Sequence, residues 1–386
     1  MKPKLPLAER DRRMASLRKA TSEARLDALL FAGKGHYWTG RGSIRYLTDF
    51  HLWAHDALLL LPVDGAPAMT VNSYGVAQRV AERGWLEDVR GDYRLVRGIA
   101  DAIREKGLTQ ARVGLVGFQW ILPAGVRDDL AAMLPNVTFL PADGIFNAVR
   151  TIKSPLEIEQ CRQLWPVMRA SMARFQEALS PGITQQEAVA AAVATATAMG
   201  AREVLAFIGE SPDEYDPPAD VAMRCDDVVR LHLEICGESG HWCERTMTFA
   251  YRNPTPAEEA LLHAEVVAYD AVRRAAVPGR TLAEISAVFV DAMAEQGLSA
   301  AGSSAHFDFH GQGLDAIEHP WFSSYDPAGT FGDAVLREGQ VFSYHPRRPY
   351  VGITGWLPDI HDNILIESTG AVRLSGEWDF GWQRMG

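Results

Sequence analysis

The sequence predicts an α/β N-terminal domain with a mixed sheet over residues 1–150, then an α+β C-terminal domain with a pseudo-two-fold internal duplication over residues 151–386. Three observations carry this. Helix-like and strand-like runs alternate up to about residue 150. The element P-G-x-T-x-x-E then occurs twice, at 181–187 and 278–284, each time between a long helix and a second one. Between the copies, residues 229–249 read as a hairpin whose two faces differ in chemistry. A chain of 386 residues is also too long for one compact core.

In the first domain, residues 8–25 carry Met14, Leu17 and Ala20 at helical spacing among arginines, the pattern of an amphipathic helix. The short apolar runs 26–31, 57–61, 113–117 and 137–140 are expected as strands. Beyond the boundary, Ser154-Pro155 with Glu157 and Glu159 opens one long helix expected to reach about Leu179. Thr184 and Thr281 each stand three residues before a glutamate, so both P-G-x-T-x-x-E copies have a local reason to start a helix, the capping box. A further helix is expected from about Thr255 to Ala276.

The hairpin is the most informative stretch. Leu231, Leu233 and Ile235 alternate with His232, Glu234 and Cys236, and Trp242, Glu244, Thr246 and Thr248 share one face of the returning strand. Two carboxylates and a histidine on paired strands are costly to bury, which marks a site. Five of the eleven histidines, His306, His310, His319, His345 and His361, fall between residues 306 and 361. A lone histidine on a strand is more often structural than catalytic, and His36, His263 and His306 keep that reading.

Bulk properties narrow the function classes. The net charge of -11 argues against nucleic acid and anionic membrane surfaces as main partners. The first residues lack the apolar core of a signal peptide, and no stretch approaches a membrane span, so a cytoplasmic protein is the expectation. Cys161, Cys225, Cys236 and Cys243 are expected reduced, as buried small hydrophobes.

Several motifs together resemble the pita-bread family of methionine and proline aminopeptidases, prolidase and creatinase. They are Arg150-Thr-Ile-Lys-Ser-Pro-Leu-Glu-Ile-Glu159, the two P-G-x-T-x-x-E turns, the hairpin, His310-Gly-Gln-Gly-Leu314, Glu338-Gly-Gln-Val-Phe-Ser-Tyr-His-Pro346 and Ile360-His-Asp-Asn-Ile-Leu-Ile366. The first 150 residues resemble the smaller domain of the prolidase and creatinase branch. The resemblance implies the pita-bread fold for the C-terminal domain. It also implies two divalent ions held by Asp, Asp, His, Glu and Glu, and at those positions this sequence has Glu234 (or Leu233), Glu244, His310, His345 and His361. Strand alternation favours Glu234. Where the family usually carries a second histidine this chain has Ile317, with His319 two residues on.

An imidazole binds one metal and cannot bridge two as a carboxylate does, so a dinuclear centre is not expected. The leading expectation is a metal-independent, creatinase-like hydrolase or lyase that cleaves a C–N or similar bond in a small polar molecule. His310, His345, His361, Glu244 and Glu234 would do acid–base chemistry, without a cofactor. One alternative is a single divalent ion, zinc or iron, held by Glu244, His310, His345 and His361. Another is a non-catalytic binding protein on the same fold. The segment before the hairpin, residues 209–218, lacks the histidine that creatinase has there, which argues against creatine as substrate. Substrate contacts are expected from His232, Trp242, His319 and Tyr344. The resemblance also implies a homodimer in which His51 and Trp53 cap the partner's site.

Overall fold

The computed structural model describes residues 5–36, 38–211, 214–298, 306–324, 326–347, 356 and 360–385; the side chains of 306, 307, 346 and 347, including His306, lie outside that description. The chain divides into two compact units, Met1–Thr151 and Ile152–Gly386. Among the described residues no helix is long and apolar enough to cross a membrane.

The first unit runs α1 (Leu7–Glu23), β1 (Ala28–Lys34), α2 (Gly42–Thr48), β2 (Asp56–Pro62), β3 (Ala68–Val71), α3 (Tyr74–Arg83), β4 (Asp88–Gly91), α4 (Val96–Glu105), β5 (Arg112–Val116), α5 (Ala124–Met133), β6 (Thr138–Pro141) and α6 (Asp143–Arg150). Its sheet has the order β4-β3-β2-β1-β5-β6. The pairs β1–β2 and β2–β3 are antiparallel and the others parallel, so the sheet is mixed as expected. The buried face of α1 differs from the apolar one the spacing suggested. It consists of Glu9, Arg13, Leu17 and Thr21. Arg13 is tolerated there because Glu9 lies 2.8 Å from its Nε, Tyr46 O accepts from its Nη1, and the Tyr46 ring lies under its guanidinium.

The second unit begins with α7 (Pro155–Arg162) and α8 (Leu164–Ala178), then α9 (Gln185–Ala198), β7 (Glu203–Gly209), β8 (Val228–Cys236) and β9 (Trp242–Ala250). It continues with α10 (Pro256–Ala275), α11 (Leu282–Glu295), β10 (His306–Gly311), β11 (Glu318–Ser323), β12 (Val341–Arg347), β13 (Asp362–Glu367), β14 (Gly370–Arg373) and β15 (Gln383–Arg384). The single helix expected over 155–179 is two. Pro166 offers no amide to the carbonyl of Arg162 and its ring crowds that carbonyl, so the helix breaks at Gln163.

The duplication expected from sequence is visible in the layers. Helices α8 and α9 bury Met168, Met172, Phe175, Ala188 and Ala192 against the outer face of the sheet β15-β9-β8-β7, where Leu231, Leu233 and Ile235 lie. Helices α10 and α11 bury Leu261, Tyr269, Ile285 and Phe289 against Phe309, Phe342, Ile364 and Ile366 of the sheet β11-β10-β12-β13-β14. The repeat also reaches further than the P-G-x-T-x-x-E elements. Capping boxes begin α9 and α11 at Thr184–Glu187 and Thr281–Glu284, and α7 and α10 at Ser154–Glu157 and Thr255–Glu258, the latter two with proline in the first turn. Close packing sets one glycine: a Cβ on Gly237 would lie 2.1 Å from Leu164 Cδ2.

Glu258 does more than cap. Its oxygens accept from Arg252 Nη1 and Nη2 at 2.8 Å each, from the Thr255 amide at 2.7 Å and from the Trp356 amide at 2.8 Å. Burial alone would raise this carboxyl, but Arg252 and the two amides outweigh it and bring it down from 4.5 to about 2. A carboxyl depressed on folding stabilises fully above its unfolded value, and that stabilisation fades as pH falls through the folded one. Urea unfolding of Glu258→Gln is therefore expected to show a deficit against wild type above pH 4.5 that shrinks as pH approaches 2. A deficit that stays constant across that window would contradict the assignment.

Candidate functional site

Strand parity builds one wall of the site. In the β8–β9 pair, Glu234 stands opposite Glu244, His232 opposite Thr246 and Arg230 opposite Thr248, all on the face turned away from the α8–α9 core. Leu233 is in that core, so Glu234 is the residue on the site side. The facing wall comes from the other sheet, where β10 supplies His310 and β12 supplies His345. The two sheets are joined at the centre, where the Glu244 amide donates to Asn363 Oδ1 at 3.2 Å.

Glu244 is the hub. His345 Nε2 lies 3.3 Å and His310 Nε2 3.4 Å from its Oε1, and Gln312 Nε2 donates to the same oxygen at 3.0 Å. Burial would raise the Glu244 carboxyl, yet the imidazoles of His345, His310 and His232 outweigh it and hold the group well below the usual carboxylate range. The two imidazoles also meet each other, Nε2 to Nε2, at 2.8 Å. His310 Nδ1 faces Gly311 O at 2.9 Å, so Nδ1 donates there and Nε2 is the nitrogen turned into the site.

The ligand atoms of Glu244, His310 and His345 lie within 4.8 Å of one another, as do those of His232, Glu234 and Glu244. The first triangle has edges of 2.8, 3.3 and 3.4 Å. A tetrahedral ion with bonds of about 2.0–2.1 Å needs ligand separations of about 3.3–3.4 Å, so the two carboxylate–imidazole edges suit a single divalent ion, whereas the imidazole–imidazole edge would have to open by about 0.5 Å. His361 lies beside that set. Its ring lies 4.3 Å from that of His345, but its Nδ1 contacts Thr246 Oγ1 at 2.5 Å. The same hydroxyl contacts His232 Nδ1 at 2.9 Å, and His232 Nε2 then lies 3.5 Å from Glu234 Oε1 and 3.9 Å from Glu244 Oε2.

Of the four residues expected around a single ion, Glu244, His310 and His345 bring their ligand atoms within 4.8 Å of one another. Tyr344 also differs from expectation. As the neighbour of His345 on a strand it points the opposite way, into the core beside Tyr269 and Phe289. His319 packs its ring against Phe331 at 4.3 Å and Trp321 at 6.1 Å. Trp242 is buried at the end of the Glu244 row, its amide donating to Gly313 O. His51 and Trp53 belong to the first unit. His51 contacts Arg45 at 2.7 Å and Arg41 at 3.3 Å, and Trp53, 55% exposed, stands edge-on to it. All four cysteines are free and buried, and burial pushes the Cys161 thiol up to about 12.

Two uncharged residues complete the site: Thr246, on the face that strand alternation shares with Glu244, and Gln312, to which the sequence assigned no role. Gln312 is held in turn by a loop tied down elsewhere. Glu318 Oε1 accepts from the amides of Leu314 and Asp315, and its Oε2 accepts from Lys153 Nζ at 2.6 Å. A Cβ on Gly313 would lie 2.7 Å from Glu318 Oε1 and 2.8 Å from Lys153 Nζ, so a larger residue there would push this ion pair aside.

With this geometry in hand, the sequence matches two family models, "Metallopeptidase family M24" over residues 159–375 and "Creatinase/Prolidase N-terminal domain" over residues 13–152. It is 28% identical to the Mycobacterium tuberculosis protein named "Probable dipeptidase PepE" over 387 aligned residues, covering 94% of each chain. Among solved structures, dipeptidase PepE from Mycobacterium ulcerans superposes with a TM-score of 0.78 at 22% identity, covering 98% of this chain and 99% of that one. An X-Pro aminopeptidase from Thermotoga maritima gives a TM-score of 0.79 at 16% identity, covering 96% and 99%. At these identities the structural likenesses speak for the fold.

Replacing Lys153 by Met leaves Glu318 buried without its cation, and a loss of about 3–5 kcal/mol is expected in urea unfolding. The double variant Lys153→Met, Glu318→Gln is expected to recover part of that loss. A single variant as stable as wild type would show that the pair does not anchor the loop.

Proposed function

The chain belongs to metallopeptidase family M24, and we propose on that footing that it is a hydrolase cleaving an amide or similar C–N bond in a small polar molecule of about dipeptide size, with one divalent ion held by Glu244, His310 and His345. The observation that carries the reading is the convergence of those three ligand atoms, with His310 Nε2 aimed inward by its Nδ1 contact to Gly311 O. When bound, such an ion acts as a Lewis acid toward a substrate carbonyl. Charge supports one ion over two, because Glu234 and Glu244 are the carboxylates on the site face of the hairpin and would meet a charge of +4 from a pair. The dipeptide scale is taken from the names of the mycobacterial relatives.

The residues around the triad supply the remaining chemistry. Gln312 donates to the Glu244 carboxylate and the Asn363 side chain holds the Glu244 backbone, so the carboxylate needs little reorientation on binding. Hydrolysis adds water across the C–N bond, and the proton that water loses must reach the departing nitrogen. His232 is placed for that transfer: Thr246 orients its ring through Nδ1, while Nε2 faces Glu234 and Glu244. A homodimer with His51 and Trp53 over the partner's site is part of the same proposal, supported by the exposure of Trp53, and light scattering tests the dimer.

The metal-independent reading has one observation in its favour, the direct 2.8 Å approach of His310 Nε2 to His345 Nε2, which suits a proton shared between imidazoles. Elemental analysis separates the two. Protein purified without added metal, or reloaded with zinc or manganese, is expected to hold one equivalent of ion, and His310→Ala or His345→Ala to abolish stoichiometric binding. Hydrolysis of L-alanyl-L-proline is expected to fall by more than the about 10- to 100-fold typical of losing an outer partner of a metal site. Full turnover in chelated, metal-free protein would overturn the single-ion proposal in favour of the imidazole one.

A further inference from the structure

One hydroxyl stands between two imidazoles in this site. Thr246 Oγ1 lies 2.9 Å from His232 Nδ1 and 2.5 Å from His361 Nδ1, and all three side chains are buried. The two rings meet edge to face, with centroids 4.9 Å apart and an interplanar angle of 67°. At its far side the His232 ring turns Nε2 toward Glu234 Oε1 at 3.5 Å and Glu244 Oε2 at 3.9 Å. A chain therefore runs from two carboxylates through His232 and Thr246 to His361. It crosses from β8 to β9 and on to the residue just before β13.

A hydroxyl has one hydrogen to give, and a neutral imidazole carries a hydrogen on only one of its two nitrogens. The Thr246 hydroxyl has these two partners among the described residues, so two donors would leave its own hydrogen buried without an acceptor. One Nδ1 must accept from the hydroxyl while the other donates to it. The carboxylates decide which. A bare Nε2 on His232 would set a lone pair against Glu234 and Glu244, whereas an N–H there is attracted to both. His232 then holds its hydrogen on Nε2, its Nδ1 accepts from Thr246, and Thr246 Oγ1 accepts from His361 Nδ1. Nε2 is left as the acceptor of His361.

We propose that Thr246 is a positioning residue that holds His232 and His361 in opposite tautomers, and that the histidines so joined relay a proton across the site. The relay rests on the hydrolase reading; the tautomers do not. When His232 Nε2 gives its hydrogen to the departing nitrogen, its Nδ1 takes the Thr246 hydrogen and Thr246 Oγ1 takes the one on His361 Nδ1. His361 Nε2 then takes the proton that the attacking water loses. One O–H bond of water breaks, one N–H bond forms on the leaving group, and no member of the chain changes its net charge. The reverse shift, with water at both ends, resets it.

The probe is the chelated, metal-free full-length protein with isotopically labelled histidine ring nitrogens. Magnetic resonance reads the nitrogens of His232 and His361, assigned with His232→Gln and His361→Gln, at about pH 9, above the ordinary imidazole range. Wild type is expected to carry hydrogen on Nε2 of His232 and on Nδ1 of His361. Thr246→Val keeps the shape and loses the hydroxyl; it is expected to move the His361 hydrogen to Nε2 while the carboxylates hold His232 as it was. Thr246→Ser is expected to restore the wild-type pair. Both rings in one tautomer, a doubly protonated ring, or a His361 tautomer indifferent to the hydroxyl would each overturn the proposal. If Thr246→Val does not fold, the wild-type spectrum decides alone. Turnover of L-alanyl-L-proline by the ion-loaded protein keeps the two readings apart. Thr246→Val is expected to lose at least about tenfold in kcat, with KM little changed, and Thr246→Ser to recover most of it. Full kcat in Thr246→Val leaves the hydrolase standing without the relay, whereas opposite tautomers in a wild type that hydrolyses nothing do the reverse.

Discussion

A carboxylate at the bottom of a protein needs compensation on every side, and Glu244 is such a group, 2% exposed in a strand buried along its length. His310 and His345 approach it from the opposite sheet, Gln312 donates to the same oxygen, and Asn363 receives its amide. None of these partners lies on β8 or β9. The unpaired cost of the charge is large enough that the hairpin and the five-stranded sheet must meet in one register or neither is favourable. The ion pair of Lys153 and Glu318 serves the same end from further out, because it shapes the loop that delivers Gln312.

The duplicated architecture explains how two sheets come to present polar faces to each other. Each sheet buries its outer face under its own helix pair, α8 with α9 and α10 with α11, and each of these pairs ends with a capped helix start of the same design. The hydrophobic effect is thereby spent on the outer layers, at about 25 cal/mol per Å² of apolar surface. The inner faces are left to polar chemistry, and His232, Glu234, Thr246 and Glu244 occupy them.

Much of this was legible in the residues. Alternation along 231–236 separates Leu233 from Glu234, and the structure has Leu233 in the core. Capping boxes and the repeated P-G-x-T-x-x-E element located the helix starts to within a residue or two. What escaped follows a physical rule in each case. Tyr344 was grouped with the site by its nearness to His345 in sequence, although adjacent residues on a strand face opposite ways. Pro166 was not read as a break inside a long helical pattern. Alternation puts Thr246 on the Glu244 face, but Thr246 and Gln312 carry no charge, so their roles emerge only once His361 and Glu244 are seen beside them. Lys153 and Glu318 are 165 residues apart, and no local pattern announces a pair at that distance.

The placement of Glu244 between two sheets has a thermodynamic consequence. Any small molecule or ion that binds through Glu244 together with His310 and His345 binds only when β9, β10 and β12 are all in place. Its binding energy is then shared across both halves of the domain, and the halves should melt together in its presence. At a concentration one hundred times its Kd such a ligand adds about 2.7 kcal/mol to the folded state. Hydrogen exchange in β13, which contributes no ligand atom to that triad, would slow with it, so the occupancy of the site can be read from a strand outside the triad.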